Sequence, residues 1–163
     1  MGKGIKNLLI HEKELLKFRQ LTNITHKGSS SIWLSCQSSI PEPNMTLVYR
    51  VMGDNELLFL VKNNNLPNTQ EYQSIQKGEI GRIYAEKYLK GHKWVSTNPT
   101  TVIEFNAPTQ LIDTLFAKQS KIEDGCLSTG LGHKAGNTLE LFNQSLNKRE
   151  TTWKIVTVKR KID

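Results

Sequence analysis

The run Thr46-Leu-Val-Tyr-Arg-Val-Met52 constrains the fold more than any other stretch of this 163-residue chain. Its side chains are apolar or β-branched on both alternating faces, so it reads as a buried strand. Arg50 interrupts it. Val48 and Met52 share the strand face of Arg50 and are apolar, so the guanidinium points where a hydrophobic side chain would normally go. A charge in that position needs an anionic or carbonyl partner. Three arrangements meet the need: a clamp on a phosphate or ribose, a pair with an internal carboxylate, or a face exposed at a sheet edge.

The segments around this strand punctuate themselves. Gly53-Asp54-Asn55 opens a helix with Leu57, Leu58, Leu60 and Val61 as its core, and Asn63-Asn64-Asn65-Leu66-Pro67 stops it. Residues 68–79 are polar and read as loop. A second helix spans Ile80 to Leu89. Thr100 to Asn106 alternates as a strand, with Val102 and Glu104 on one face and Ile103 and Phe105 on the other. Pro108 suits a first helical turn, and Leu111, Ile112, Leu115 and Phe116 follow at helical spacing. Gly125 to Asn137 is glycine-rich and reads as loop, and Thr138 to Phe142 and Thr152 to Lys159 read as closing strands.

Ahead of the first strand, Ile5, Leu8, Leu9, Leu15 and Leu16 mark a helical stripe over residues 5–21. A Ser- and Pro-rich connector follows, in which Ile32-Trp33-Leu34 is strand-like. The expected architecture is a single compact α+β domain. It has a mixed or antiparallel sheet flanked by short helices and carries an N-terminal helical arm. Residues 1–45 form the helix and connector, and 46–163 form the α+β domain of catalytic type.

With 37% hydrophobic residues the chain has material for a real core, which argues against wholesale disorder. No apolar run approaches the roughly 18–20 residues of a membrane span, and no signal peptide is visible, so the expected location is cytoplasmic unless a separate module delivers the chain. Cys36 and Cys126 have no CxxC companion, which excludes a disulfide scaffold and a zinc ribbon. The net charge of +7 favours an anionic partner. Its distribution says more. Residues 1–45 hold six basic and three acidic side chains, residues 148–163 six and two, and residues 46–147 ten of each. The body is neutral and the ends are basic, which suits a pocket for a small anionic cofactor with ends that meet RNA or an acidic partner.

Besides Arg50, four groups of residues could carry chemistry. Tyr84 and Tyr88, one helical turn apart, can sandwich a flat ring, or simply be core. Glu104 and Glu140, read as strand carboxylates, can stabilise an oxocarbenium-like transition state, or lie on a solvated face. His133 and Lys134 sit in Gly130-Leu-Gly-His-Lys-Ala-Gly136, which lacks phosphate-loop spacing. His92, Lys93 and Thr97, near Trp94 and Ser96, supply a base, a phosphate neutraliser and a positioning group for metal-independent RNA cleavage, or form a solvated turn. The histidines lack metal-ligand spacing, and no metal is expected.

From Val48 onward the order of elements resembles the ADP-ribosyltransferase-like fold of bacterial polymorphic toxin and effector domains. The resemblance rests on Tyr49-Arg50-Val51, Glu56-Leu57, Leu66-Pro67, Ser74, the helix from Tyr84 to Tyr88, and Val102 to Phe105. It implies Arg50 and Ser74 for NAD contact, Tyr84 and Tyr88 for stacking on nicotinamide, and Glu140 as the catalytic carboxylate with Glu104 in reserve. Two departures stand out: Ser74 is alone where a Ser-Thr-Ser is usual, and no second Glu or Gln accompanies Glu140.

The leading expectation is therefore a toxin-like enzyme that uses NAD as substrate and transfers ADP-ribose onto a host macromolecule, protein or nucleic acid. A cognate acidic immunity protein is the partner that a toxin implies, and no membrane insertion is expected. The alternatives are a ribonuclease toxin built on the His92 and His133 groups and a non-catalytic binding protein of phage or mobile-element type.

Overall fold

The computed structural model describes residues 24–25, 31–68, 73–90, 99–131 and 136–161. The helical stripe at residues 5–21 lies outside the described residues. Among the described residues eight strands form one sheet: β1 (Ile24–Thr25), β2 (Ser31–Ser35), β3 (Met45–Met52), β4 (Ser74–Lys77), β5 (Thr101–Pro108), β6 (Lys121–Glu123), β7 (Cys126–Gly130) and β8 (Thr152–Lys161). Among the same residues four helices accompany them: α1 (Asp54–Asn63), α2 (Gly78–Leu89), α3 (Thr109–Lys118) and α4 (Thr138–Asn147). The strand order is β1-β2-β8-β5-β3-β4-β7-β6, and every neighbouring pair is antiparallel. This is the expected α+β class, with the sheet antiparallel throughout. β2 pairs with β8 from Ser31↔Lys161 to Ser35↔Thr157, so the sheet reaches across the boundary expected near residue 45.

β3 sits inside the sheet and is covered on both faces, which is why its sequence is apolar on both alternating faces, Arg50 excepted. Val48 and Met52 join Leu57, Leu60 and Val61 of α1, Ile112 and Leu115 of α3, and Phe142 and Leu146 of α4 in the larger core. Phe105 and Phe142 meet edge to face at 5.1 Å between centroids. Leu47 and Tyr49 point the other way and pack with Ala85 and Leu89 of α2 and with Val102 and Val156. Among the described residues one sheet face thus carries three helices and the other carries α2.

Local chemistry explains the ends of the elements. Asp54 and Glu56 lie in the first turn of α1, where carboxylates interact favourably with the exposed N–H groups. Asn64 ends the helix in the left-handed region at φ 52°. Its side chain donates to the Leu146 carbonyl at 2.8 Å and accepts from the Trp153 indole at 2.9 Å, tying α1 to α4 and β8. Gly81 lets α2 lie directly on β4, because a Cβ there would stand 2.7 Å from the Gln76 carbonyl carbon.

Three expectations are corrected. Thr138 to Phe142 is the start of α4 rather than a strand: Leu139, Phe142 and Leu146 follow a helical period, and the alternation Leu139-Glu140-Leu141 is a short accident within it. Residues 74–77, read as loop, form β4, whose polar side chains are buried because Gln76 donates to Ser74 Oγ at 2.9 Å and Ser128 Oγ at 3.3 Å. The glycine-rich stretch after Gly125 begins with β7, closed onto β6 by the two-residue turn Asp124-Gly125. Among the described residues no helix is long and apolar enough to cross a membrane.

Candidate functional site

Among the described residues α2 is the only helix on its sheet face. The chain leaving β2 crosses it as a strap, Ser35–Pro41. Between this strap and α2 opens a cleft of about 1130 Å³, lined among others by Cys36, Ser38, Tyr49, Arg82, Ile83 and Glu86.

Arg82 holds the strap in place. Its guanidinium donates to the Cys36 carbonyl, to Ser38 Oγ at 2.7 Å and to Glu86 Oε1 at 3.0 Å. Glu86 Oε1 also accepts the Thr157 hydroxyl at 2.6 Å, so one arginine links α2, the strap and β8. The Cys36 amide donates to the Val156 carbonyl at 2.9 Å, one step beyond the β2–β8 ladder, before the strap leaves the sheet.

Beneath the strap, Tyr49, Glu104 and Lys154 are register partners across β3, β5 and β8 and form a row. Glu104 is 2% exposed. Its Oε2 accepts the Tyr49 hydroxyl at 2.8 Å and the Ser39 amide at 3.1 Å, and its Oε1 lies 3.8 Å from Lys154 Nζ. Burial pushes the Tyr49 hydroxyl up to about 12, the Glu104 charge adds to this, and Ser38 and Arg82 oppose it. The arrangement offers a carboxylate under a cleft, a phenol bound to it, and a second carboxylate, Glu86, on the cleft wall.

The other sequence candidates fall in separate places. Arg50, 5% exposed, is on the opposite sheet face from Tyr49. It makes a two-pronged ion pair with Glu56, Nε to Oε1 at 2.6 Å and Nη2 to Oε2 at 2.9 Å, and donates to the Ser74 carbonyl at 2.8 Å. Of the arrangements open to it, the internal carboxylate is the one observed, and Gln73 Nε2 reaches the same Glu56 at 3.4 Å. Tyr84 and Tyr88 touch each other, with centroids 4.9 Å apart, rings tilted by 54° and hydroxyls 2.6 Å apart, which leaves no slot for a third ring between them. Tyr84 also donates to Glu123 at 3.1 Å. Glu140 is exposed in the first turn of α4 and accepts from Gln144 at 3.4 Å. His92, Lys93, Thr97, His133 and Lys134 lie outside the described residues.

The structure therefore joins Arg50 to Ser74 and Tyr84 to Tyr88, and leaves Glu104 and Glu140 with neither pair. Sequence reasoning gave no role to Arg82, Glu86, Ser38 or Tyr49. The spacing of Arg82 and Glu86, four apart on a helix, was a visible signal for their ion pair. Nothing in the sequence indicates that the connector returns over the sheet to meet them. Among the described residues, no group of three or more His, Cys, Asp or Glu side chains could hold a metal ion. No family model, no curated protein and no solved structure matches the chain.

Proposed function

We propose that this chain is an NAD-consuming enzyme that transfers ADP-ribose to a macromolecule, and that the reaction takes place in the cleft between α2 and the Ser35–Pro41 strap. The observation that carries the reading is a cleft with one carboxylate, Glu86, on its wall and a second, Glu104, buried beneath it and hydrogen-bonded to the lining residue Tyr49. The cleft volume of 1130 Å³ accommodates an extended ligand of dinucleotide size, since small-molecule sites run from about 300 to 1,000 Å³.

In this reading Arg82 supplies the positive charge for the diphosphate, the role expected of Arg50. The bond between nicotinamide nitrogen and ribose C1′ breaks with its electron pair leaving on nicotinamide. Glu86 stabilises the positive charge that develops on the ribose and accepts the proton released as the acceptor nucleophile bonds to C1′. Glu104 positions Tyr49 at the floor.

Incubation with NAD labelled in the adenine and nicotinamide halves, together with cell lysates, tests the reading. Nicotinamide release with label transfer is expected. Glu86→Gln should lower both by about 10²- to 10³-fold, as removal of an electrostatic stabiliser does. Glu140→Gln should leave both unchanged. The reading is overturned by an absence of release and transfer with every lysate, or by activity that depends on Glu140 and not on Glu86.

A further inference from the structure

The geometry points to β6 as a pairing edge whose occupant is the β6 of a second copy of this chain, antiparallel and centred on Ile122. Among the described residues β6 ends the sheet and is bonded on one side only, to β7. Its register is Lys121↔Ser128, Ile122↔Leu127 and Glu123↔Cys126. Asp124 and Gly125, at φ 49° and 77°, form the two-residue turn. In a hairpin closed this way the pair flanking the turn is the hydrogen-bonded one and the next pair is not. The N–H and C=O of Ile122 therefore face away from β7, into solvent.

Edge strands commonly defend such groups with a central charge, a proline or a bulge. β6 has an isoleucine there instead, 75% exposed, beside Leu127 at 38%. The charges that flank Ile122 make the strand its own complement. An antiparallel partner centred on Ile122 sets each Lys121 opposite the Glu123 of the other copy and joins the two isoleucines by two backbone hydrogen bonds. A parallel partner would set like charges side by side. Glu123 is already held in place, by Lys121 at 2.5 Å and by the Tyr84 hydroxyl at 3.1 Å, so its carboxylate is ordered before a partner arrives. Two exposed Ile122/Leu127 pairs then merge into one covered apolar strip. The strand is short, so the result is a concentration-dependent monomer–dimer equilibrium rather than an obligate dimer.

Sedimentation equilibrium of the full chain over a wide concentration range is the test. Dimerisation is expected at high concentration. Ile122→Pro removes only the outward N–H, so it should keep the wild-type melting curve and abolish the dimer. Lys121→Glu should weaken the dimer by about tenfold or more, and Lys121→Glu combined with Glu123→Lys should restore part of it. A wild-type chain that stays monomeric at every concentration overturns the proposal and leaves the edge to a foreign strand. A dimer that survives both Ile122→Pro and Lys121→Glu overturns it too, because another surface is then responsible.

Discussion

The Tyr49 hydroxyl donates a 2.8 Å hydrogen bond to Glu104 Oε2 across the β3–β5 ladder, and the same oxygen accepts the Ser39 amide. A buried carboxylate deprived of one of its donors is destabilised by more than an average hydrogen bond is worth. Tyr49→Phe should accordingly lower stability by about 1–3 kcal/mol. Urea denaturation should show a lower midpoint with an unchanged slope, since the surface exposed on unfolding is the same.

The same phenol makes stability depend on alkaline pH. Its folded value of about 12 lies above the unfolded value of 10, so at pH values between the two the folded chain keeps a proton that the unfolded chain has lost. The contribution is complete below pH 10 and disappears as pH rises through about 12. Tyr84 is shifted the same way by burial, by the Tyr88 hydroxyl and by Glu123. Unfolding free energies measured across this range should fall with pH, less steeply in Tyr49→Phe than in the wild type. An identical slope in the two proteins would contradict the assignment.

On the other sheet face, the Arg50–Glu56 pair is buried and fully engaged. Removing one partner leaves a desolvated charge, so Arg50→Ala or Glu56→Ala should cost about 3–5 kcal/mol. Arg50→Lys should recover only part, because an ammonium cannot meet both oxygens of Glu56 and the Ser74 carbonyl with the arginine's fixed fork. Replacing both at once, Arg50→Met with Glu56→Leu, should be milder than either alanine variant. Denaturation of the four proteins gives the comparison, and a double variant worse than both singles would refute it.

Gly81 makes a sharper structural demand. The nearest atoms to an added Cβ are the Gln76 carbonyl carbon at 2.7 Å and its oxygen at 2.8 Å, both backbone. Neither yields without moving β4 or α2, so Gly81→Ala should destabilise by roughly 1–3 kcal/mol despite its better helix propensity. Thermal unfolding monitored by circular dichroism checks the sign.

Elements with sustained periodicity were legible in the sequence. β3, α1, α3 and β8 lie close to where the apolar pattern puts them, and the triple asparagine correctly ends α1. β4 escaped because its polar residues are buried by hydrogen bonds that form only when β3, β7 and α2 assemble around Gln76. α4 escaped because its opening Thr-Leu-Glu-Leu-Phe satisfies a period of two and a helical period equally, and only Leu146 further on decides. At the site, the oddity of Arg50 was visible from its apolar neighbours, but its partner Glu56 is brought to it by the turn of α1. The cleft was hidden for a different reason. It depends on a connector of Ser and Pro residues that folds back across the sheet, a long-range contact without a local signature.

That connector is held through side chains beneath and beside it, which makes its hold measurable. The Arg82 guanidinium takes the Cys36 carbonyl and Ser38 Oγ, and Glu104 takes the Ser39 amide. Arg82→Lys keeps the positive charge but loses the fork that reaches the strap and Glu86 together. The strap then opens locally while the ladders beneath it stay closed. Hydrogen exchange at the Ser39 amide should accelerate by about tenfold or more, while the Val102 and Val156 amides in the sheet change far less. If all three accelerate equally, Arg82 supports the whole fold and not the strap. If Ser39 exchange does not change, Glu104 holds the strap at Ser39 without help from Arg82.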